Sequence, residues 1–305
     1  MLPFKNLVSG AQLTRDVVEE VFTVSDYMQR ICEFKGRTDL LSDKVIALIF
    51  LEPSSRTMLS FQSAAQRLGA GVLFFQGREM SSLEKGESIE DTMRVVGGYS
   101  DLVVARLHQP DTANLASESC GRPFINGGDG GNEHPTQALV DAYTIKRELG
   151  GLGGLTYAFG FDPLHSRSIH SLTRHLSYYR DVRMIFVSPP SLRPSDKTLQ
   201  FLSSQGVQIE QTEDLSALGK ADVVYLNRLQ EERFQDRSEF EKHRLSYRLT
   251  PEIISEKNRL ILDPLPRVDE IDVEVDKLPI AAYFRQVQNG VPIRMALLAL
   301  LLERV

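Results

Sequence analysis

Phe50-Leu-Glu-Pro-Ser-Ser-Arg-Thr57 sets three hydroxyl side chains and a guanidinium where an apolar run gives way to a polar one. With a strand ending there and a helix starting at Ser54, the unpaired backbone N–H groups of the first turn form an anion site. Ser54, Ser55 and Thr57 add hydroxyl donors, and Arg56 adds a permanent charge. An ordinary helix cap would look the same on this segment alone. His134-Pro-Thr-Gln137 opens a second helix. His134 and Gln137 share a face of it, and both side chains can address a carbonyl or an amide. Pro135 suits a first helical turn. A lone histidine at such a place is more often structural.

Other donors follow apolar runs in the same way. Arg106 ends Asp101–Leu107, Arg167 comes soon after Leu155–Phe161, and Arg228-Leu-Gln230 follows Asp222–Asn227. In parallel sheets ligands bind at the C-terminal ends of strands. Arg228 and Gln230 are donors suited to a carboxylate. Each arginine alone would be an ordinary surface charge; together they are harder to dismiss. Ser81–Glu87 is a polar loop carrying Lys85, and a solvated loop is its plain reading. Asp263-Pro-Leu-Pro-Arg267 reads as a rigid turn able to aim backbone carbonyls.

These positions need a frame, and the hydrophobic pattern supplies one. Strands are predicted at Lys44–Glu52, Gly71–Gln76, Asp101–Leu107 and Pro123–Asn126, with helices near Thr14–Ile31, Ser54–Leu68, Glu87–Tyr99 and Asp111–Ser119. His134–Leu149 is a long amphipathic helix ending in Gly150-Gly-Leu-Gly-Gly154. A second alternation has strands at Leu155–Phe161, Val182–Ser188, Gln208–Thr212, Asp222–Asn227 and Arg259–Asp263. Its helices are predicted at Arg167–Tyr179, Asp196–Gln205 and Leu215–Lys220, and Asn289–Arg304 is a final apolar helix. Strand–helix alternation implies parallel sheets covered on both faces. The fold class is α/β: two doubly wound parallel-sheet domains linked by helices, with a ligand cleft between them and the C-terminal helix returning to the first domain. The expected bounds are 1–133, completed by 288–305, and 134–287.

Composition limits the function. The chain has 305 residues, and Lys plus Arg (35) against Asp plus Glu (41) leave a net charge of −6. An acidic chain without a basic block is a poor general binder of nucleic acid. The longest apolar runs, Val45–Leu51 and Met295–Leu302, are far short of the ~18 residues that span a bilayer. No signal peptide is visible at the N-terminus. Cys32 and Cys120 form no CxxC pair and no zinc ligand set, and they read as free buried thiols in a reducing, cytoplasmic compartment. No GxxxxGK[ST] occurs, and the Gly150–Gly154 cluster precedes a strand, so it reads as an interdomain joint instead of a dinucleotide fingerprint.

In their order along the chain, Ser54-Ser-Arg-Thr57, Ser82 to Lys85, Arg106, His134-Pro-Thr-Gln137, Arg167, Arg228-Leu-Gln230 and Asp263-Pro-Leu-Pro-Arg267 resemble the catalytic chains of the aspartate branch of the aspartate/ornithine carbamoyltransferase family. The resemblance covers nearly the whole chain. It implies that carbamoyl phosphate and L-aspartate give N-carbamoyl-L-aspartate and phosphate, an early step of pyrimidine synthesis, with no metal and no cofactor. It implies that Ser54, Ser55, Arg56 and Thr57 hold the phosphate, and that Thr57, Arg106, His134 and Gln137 meet the carbamoyl group. Arg167, Arg228 and Gln230 would grip the aspartate carboxylates. The Pro264 and Leu265 carbonyls would contact the carbamoyl amide and the attacking amine. Ser82 and Lys85 would reach a neighbouring subunit's site in a homotrimer, which in this family is sometimes joined to separate regulatory chains or other enzyme chains.

The residues agree with that chemistry. An amine attacks a carbonyl, charge builds on its oxygen, and phosphate leaves. Arg106, a neutral His134 and Thr57 would stabilise the oxyanion. No dedicated general base is evident, so the departing phosphate is expected to take the amine's proton. The sequence also departs from the family pattern. Ser55 stands where many relatives have Thr, and the Lys85 loop is one residue shorter than in the well-known bacterial enzyme. Asp263 replaces a histidine, and Phe161-Asp-Pro-Leu-His-Ser-Arg167 replaces Gly-Asp-Leu-Lys-Tyr-Gly-Arg. Two alternatives follow: a carbamoyltransferase for another amine such as ornithine or an acylated ornithine, and a non-catalytic scaffold paralogue. The missing His-Cys-Leu-Pro turn argues against the first, and the intact donor set against the second. A nucleotide-binding oxidoreductase lacks its glycine fingerprint.

Overall fold

The computed structural model describes residues 2–77, 82–231, 234, 237–244 and 246–305, and of Ser82, Leu83 and Glu239 the backbone alone. The chain divides into two compact units, Met1–Val140 with Asn289–Val305, and Asp141–Gln288.

In the first unit the elements are β1 (Asn6–Leu7), α1 (Arg15–Arg30), β2 (Val45–Phe50), α2 (Ser55–Arg67), β3 (Gly71–Gln76), α3 (Ile89–Tyr99), β4 (Leu102–Leu107), α4 (Thr112–Cys120) and β5 (Phe124–Asp129). The sheet runs β1-β5-β4-β2-β3, every pair parallel. β2 carries unbroken apolar sequence, β4 is apolar but for Arg106, and both are buried nearly throughout, as central parallel strands must be. Val17, Val18, Val21, Phe22 and Met28 line the buried stripe of α1. The chain steps from β2 out to β3, then crosses back to β4 on the other side of β2. The C-terminal ends of β2 and β4 therefore form the topological switch point, where such sheets open a crevice. The C-terminal helix packs on this unit: the Arg294 guanidinium lies over the Phe61 ring of α2, 5.1 Å from its centroid.

α5 (Pro135–Leu149) carries the chain into the second unit, which holds β6 (Thr156–Gly160), α6 (Arg167–Leu176), β7 (Arg183–Val187), α7 (Asp196–Ser204), β8 (Gln208–Thr212), β9 (Val223–Leu226), α8 (Arg237–Arg244) and β10 (Leu260–Leu262), before α9 (Tyr283–Leu301) returns. Its parallel sheet runs β10-β9-β6-β7-β8, with the switch point between β6 and β9. Phe159 sits mid-sheet, stacked on Phe186 at 5.6 Å and tilted against Tyr225 at 5.9 Å.

Some expectations need correction. The helix expected to reach Tyr179 stops at Leu176, where Tyr178 and Tyr179 take tight-turn bonds to His175 and Leu176. Leu215–Lys220 is a 3₁₀ helix, and the last helix begins at Tyr283, not Asn289. Cys32 is half-buried, although Cys120 is buried. The glycine cluster makes a turn: Gly154, at φ +71°, donates to the Arg180 carbonyl, and a side chain at Gly153 would stand 3.1 Å from that oxygen.

Candidate active site

Register brings the first donors together. Phe50 pairs with Arg106, and Leu51 N–H donates to the Arg106 carbonyl at 2.9 Å, so the Ser54–Thr57 turn and Arg106 leave adjacent strands at one edge. Ser54 is extended (φ −161°, ψ 87°) and α2 begins at Ser55, but the Ser54 hydroxyl makes no capping bond to the helix. The simple cap considered from sequence is thus not what this serine does. Arg56 and Ser54 are half-buried and Ser55 is exposed.

Thr57 and His134 are both 5% exposed, and Thr57 Oγ1 lies 3.4 Å from His134 Nε2. Thr136 Oγ1 lies 3.4 Å from Nδ1 on the other side of the ring. Hydroxyls can donate or accept, so with these partners Nε2 carries the proton in one tautomer. Gln137 is half-buried one turn along α5, its N–H bonded to the His134 carbonyl at 3.0 Å.

Arg106 is 7% exposed. Its Nε donates to Glu52 Oε2 at 2.9 Å, Nη2 reaches the same oxygen at 2.9 Å, and Nη1 reaches the Gly127 carbonyl at 3.4 Å. It is a fixed charge and not the surface arginine that would be the default. The sequence reading missed Glu52, one of only two charged residues in its own anion motif. It also missed how the approach to His134 is anchored. Asp129 accepts from Asn126 Nδ2, Asn132 Nδ2 and the N–H groups of Asp111 and Glu133, at 3.1 to 3.2 Å. Burial pushes the Asp129 carboxyl upward from its ordinary value against those bonds. Glu133 in turn accepts from the Ser9 hydroxyl and the Gly10 N–H, both at 3.1 Å. Lys85 closes the short turn Ser82–Lys85, exposed and without an ion-pair partner among the described residues. The Ser82 side chain lies outside the described residues.

In the second unit three donor segments leave neighbouring strands. Arg167 is the half-buried first residue of α6, whose N-cap Ser166 accepts from Ile169 N–H at 3.3 Å. The unusual segment before it is tied down. Buried Asp162 accepts from His165 N–H at 3.1 Å and lies 3.0 Å from its Nδ1. His170 Nε2 meets the Pro163 and Leu164 carbonyls at 3.1 and 3.0 Å. After β9, Arg228 and Gln230 are half-buried, and Arg228 Nη1 donates to the Leu229 carbonyl at 3.3 Å. Burial raises the carboxyl of Glu270, while backbone N–H bonds and the Arg228 charge oppose the rise. After β10, Asp263 Oδ1 accepts the Leu265 N–H at 2.6 Å. Pro264 and Leu265 are half-buried, and Leu265 has φ +58°. Among the described residues no group of three or more His, Cys, Asp or Glu gathers as metal ligands.

Comparison with known proteins decides what these halves belong to. Residues 5–147 match the carbamoyl-P binding domain of aspartate/ornithine carbamoyltransferase, and residues 153–301 match its Asp/Orn binding domain. The chain belongs to the aspartate/ornithine carbamoyltransferase family. Within this family it is 44% identical to the aspartate carbamoyltransferase catalytic subunit of Methanococcus vannielii, over 97% of this chain and 98% of that protein. The catalytic subunit of M. jannaschii aspartate transcarbamoylase superposes with a TM-score of 0.92 at 42% identity, covering 98% of each chain. Aspartate transcarbamoylase from Trypanosoma cruzi in complex with carbamoyl phosphate and aspartate gives a TM-score of 0.90 at 35% identity, over 97% of this chain and 96% of that one. The matched first domain holds the start of α2 and the buried Thr57–His134 pair, and the matched second domain holds Arg167, Arg228 and Gln230.

Proposed function

We propose that this protein transfers the carbamoyl group of carbamoyl phosphate to the amine of L-aspartate, giving N-carbamoyl-L-aspartate and phosphate. The observation that carries this reading is the edge shared by β2 and β4, where the start of α2, the fixed Arg106 and the Thr57–His134 pair come together. Ser54, Ser55, Arg56 and Thr57 hold the phosphate with backbone and hydroxyl donors and one guanidinium. Thr57, Arg106 and His134 donate to the carbonyl oxygen as charge builds on it, and Gln137 orients the carbamoyl amide. Arg167, Arg228 and Gln230 take the two carboxylates of aspartate, and the Pro264 and Leu265 carbonyls accept from the carbamoyl amide and the amine. Two anions that repel each other in water are thereby held for reaction, which is the larger part of the task. The departing phosphate accepts the amine's proton. The aspartate names of the relatives and the absence of a cysteine beside Asp263 favour aspartate over ornithine.

The assembly we propose is a homotrimer in which Lys85, with Ser82, completes a neighbour's site. The edge strand β3, which leads toward that turn, leaves Leu73 and Phe74 40% and 47% exposed, and Leu59 on α2 is 56% exposed. Exposed apolar side chains on an edge strand and its neighbouring helix suit contact with another copy. We assign the reaction to the cytoplasm and to pyrimidine synthesis, in keeping with two free cysteines and with no helix among the described residues long and apolar enough to cross a membrane.

The test is to supply carbamoyl phosphate with aspartate, with ornithine or with no amine, and to read phosphate release together with product mass. Carbamoyl-aspartate as the dominant product is expected. Faster turnover of ornithine, or no amine-dependent phosphate release, overturns the reading.

A further inference from the structure

A chain of buried hydrogen bonds runs through the second unit, and none of the substrate contacts proposed above accounts for it. The Tyr225 hydroxyl, at the end of β9 and in contact with Ser168, donates to Asp141 Oδ2 at 2.8 Å. Asp141 Oδ1 accepts from Gln286 Nε2 at 2.6 Å. A carboxylate can only accept, so the Gln286 amide is oriented with its oxygen turned away from Asp141. That oxygen accepts the Asp263 N–H at 3.0 Å, and the Asp263 carboxylate then accepts the Leu265 N–H at 2.6 Å. Tyr225 and Asp141 are fully buried, and Gln286 and Asp263 are each 1% exposed.

The chain ends on a backbone that needs holding. Leu265 has φ +58°, a region that leucine rarely occupies. A side-chain oxygen two residues back that accepts the N–H is the local bond able to hold a turn there. We propose that Asp263 is a positioning residue: anchored through Gln286, Asp141 and Tyr225, its carboxylate keeps Leu265 left-handed and so aims the Pro264 and Leu265 carbonyls. This rests on the carbamoyl-transfer reading, in which those carbonyls meet the carbamoyl amide and the amine. Through Tyr225 and Ser168 the same chain ties the turn to the residue that follows Arg167, so the turn after β10 and the start of α6 share one support.

The experiment compares wild type, Asp263→Ala and Asp263→Asn, the last keeping a carbonyl oxygen that can accept. Between 264 and 267 only Leu265 and Arg267 carry amide hydrogens, because 264 and 266 are prolines. Hydrogen exchange of that peptide therefore reads the turn directly, with or without activity. Exchange at Leu265 is expected to quicken about 10- to 100-fold in Asp263→Ala, the worth of a bond to a charged acceptor, and to stay slow in Asp263→Asn. In the same variants kcat should fall by a similar factor for alanine and recover with asparagine, while inhibition by phosphate, whose proposed site is in the first unit, stays within about two-fold. Should Asp263→Ala not fold, Gln286→Met cuts the chain one link earlier and is expected to shift exchange and kcat in the same directions. Unchanged Leu265 exchange overturns the proposal whatever the kinetics, and so does an asparagine variant as slow as alanine with its turn protected. If wild type does not carbamoylate aspartate yet Asp263→Ala loses protection, the reaction reading falls and the turn assignment stands.

Discussion

Thr57 Oγ1 stands 3.4 Å from His134 Nε2, bringing together two buried side chains that lie 77 residues apart in the sequence. Thr136 holds the far side of the ring, so the imidazole is set between two hydroxyls. A ring so placed can donate from Nε2 to an oxygen arriving beside Thr57, and the bond strengthens as that oxygen gains charge.

His134→Ala should therefore lower kcat by about 10²–10³ while phosphate inhibition changes little, because the lost donor acts on developing charge. Steady-state kinetics with phosphate as inhibitor checks it. A rise in KM with kcat unchanged would assign His134 to ground-state binding instead.

Arg56→Ala removes the one guanidinium of the anion motif. A charge-assisted contact to phosphate is worth about 1.5–3 kcal/mol, so kcat/KM for carbamoyl phosphate should fall by at least 10- to 150-fold. Circular dichroism should show the fold intact, since Arg56 lies half-buried at a helix start. An unchanged kcat/KM for carbamoyl phosphate would sink the phosphate assignment.

Arg228→Ala should separate the substrates. KM for aspartate is expected to rise by about 10- to 150-fold on the same estimate for one carboxylate contact, with phosphate inhibition unchanged. Equal loss toward both substrates would count against a carboxylate role.

Much of this was open to reading in the chain. β2 and β4 were legible because both faces are buried and their sequence has no polar alternation, and the donors were legible because they follow those runs directly. What escaped depends on contacts that sequence order does not encode. Glu52 pairs with Arg106 across two strands, 54 residues away, and nothing local to either residue indicates it. β1 spans only Asn6–Leu7, too short for any periodicity, and exists because β5 offers it an edge. α8 escaped because Arg237–Arg244 carries no apolar stripe beyond Phe240. Tertiary packing also extends α9 back to Tyr283, ahead of the apolar run by which it was recognised. The Asp162–His165 and Asp263–Leu265 contacts lie in the segments where the chain departs from its family's pattern, so the resemblance offered no guide to them.

Asp129 gives the fold a pH signature. Burial raises its carboxyl from the ordinary Asp value, so the folded chain keeps the proton over a range where the unfolded chain has released it. Across that range stability falls as pH rises. Asp129→Asn lacks this titration, and its amide meets donors where the carboxylate accepted them, at a cost of about 1–3 kcal/mol. The stability gap between wild type and variant should thus be widest at the acid end and narrow toward neutrality. Urea unfolding of both proteins at about pH 3, below the ordinary Asp value of about 3.9, and at about pH 7 checks the sign. A gap that widens toward neutrality would reverse it.

The shared site of the proposed trimer can be tested by mixing two inactive variants. Lys85 is exposed on its turn, and among the described residues it has no ion-pair partner in its own chain. Let one variant carry Lys85→Ala and the other Arg56→Ala, and let the two be unfolded and refolded together so that chains exchange. If Lys85 serves its own chain, every site in a mixed trimer keeps one lesion and activity stays near zero. If it serves a neighbour, one site in each mixed trimer unites an intact Arg56 with an intact Lys85. Activity should then return to at most about one third of wild type, because only a complete constellation positions both substrates. Native mass spectrometry establishes that mixed trimers have formed. Mixed trimers without recovery would mean that Lys85 acts within its own chain or not at all, an outcome that the shorter loop makes a sharp one to look for.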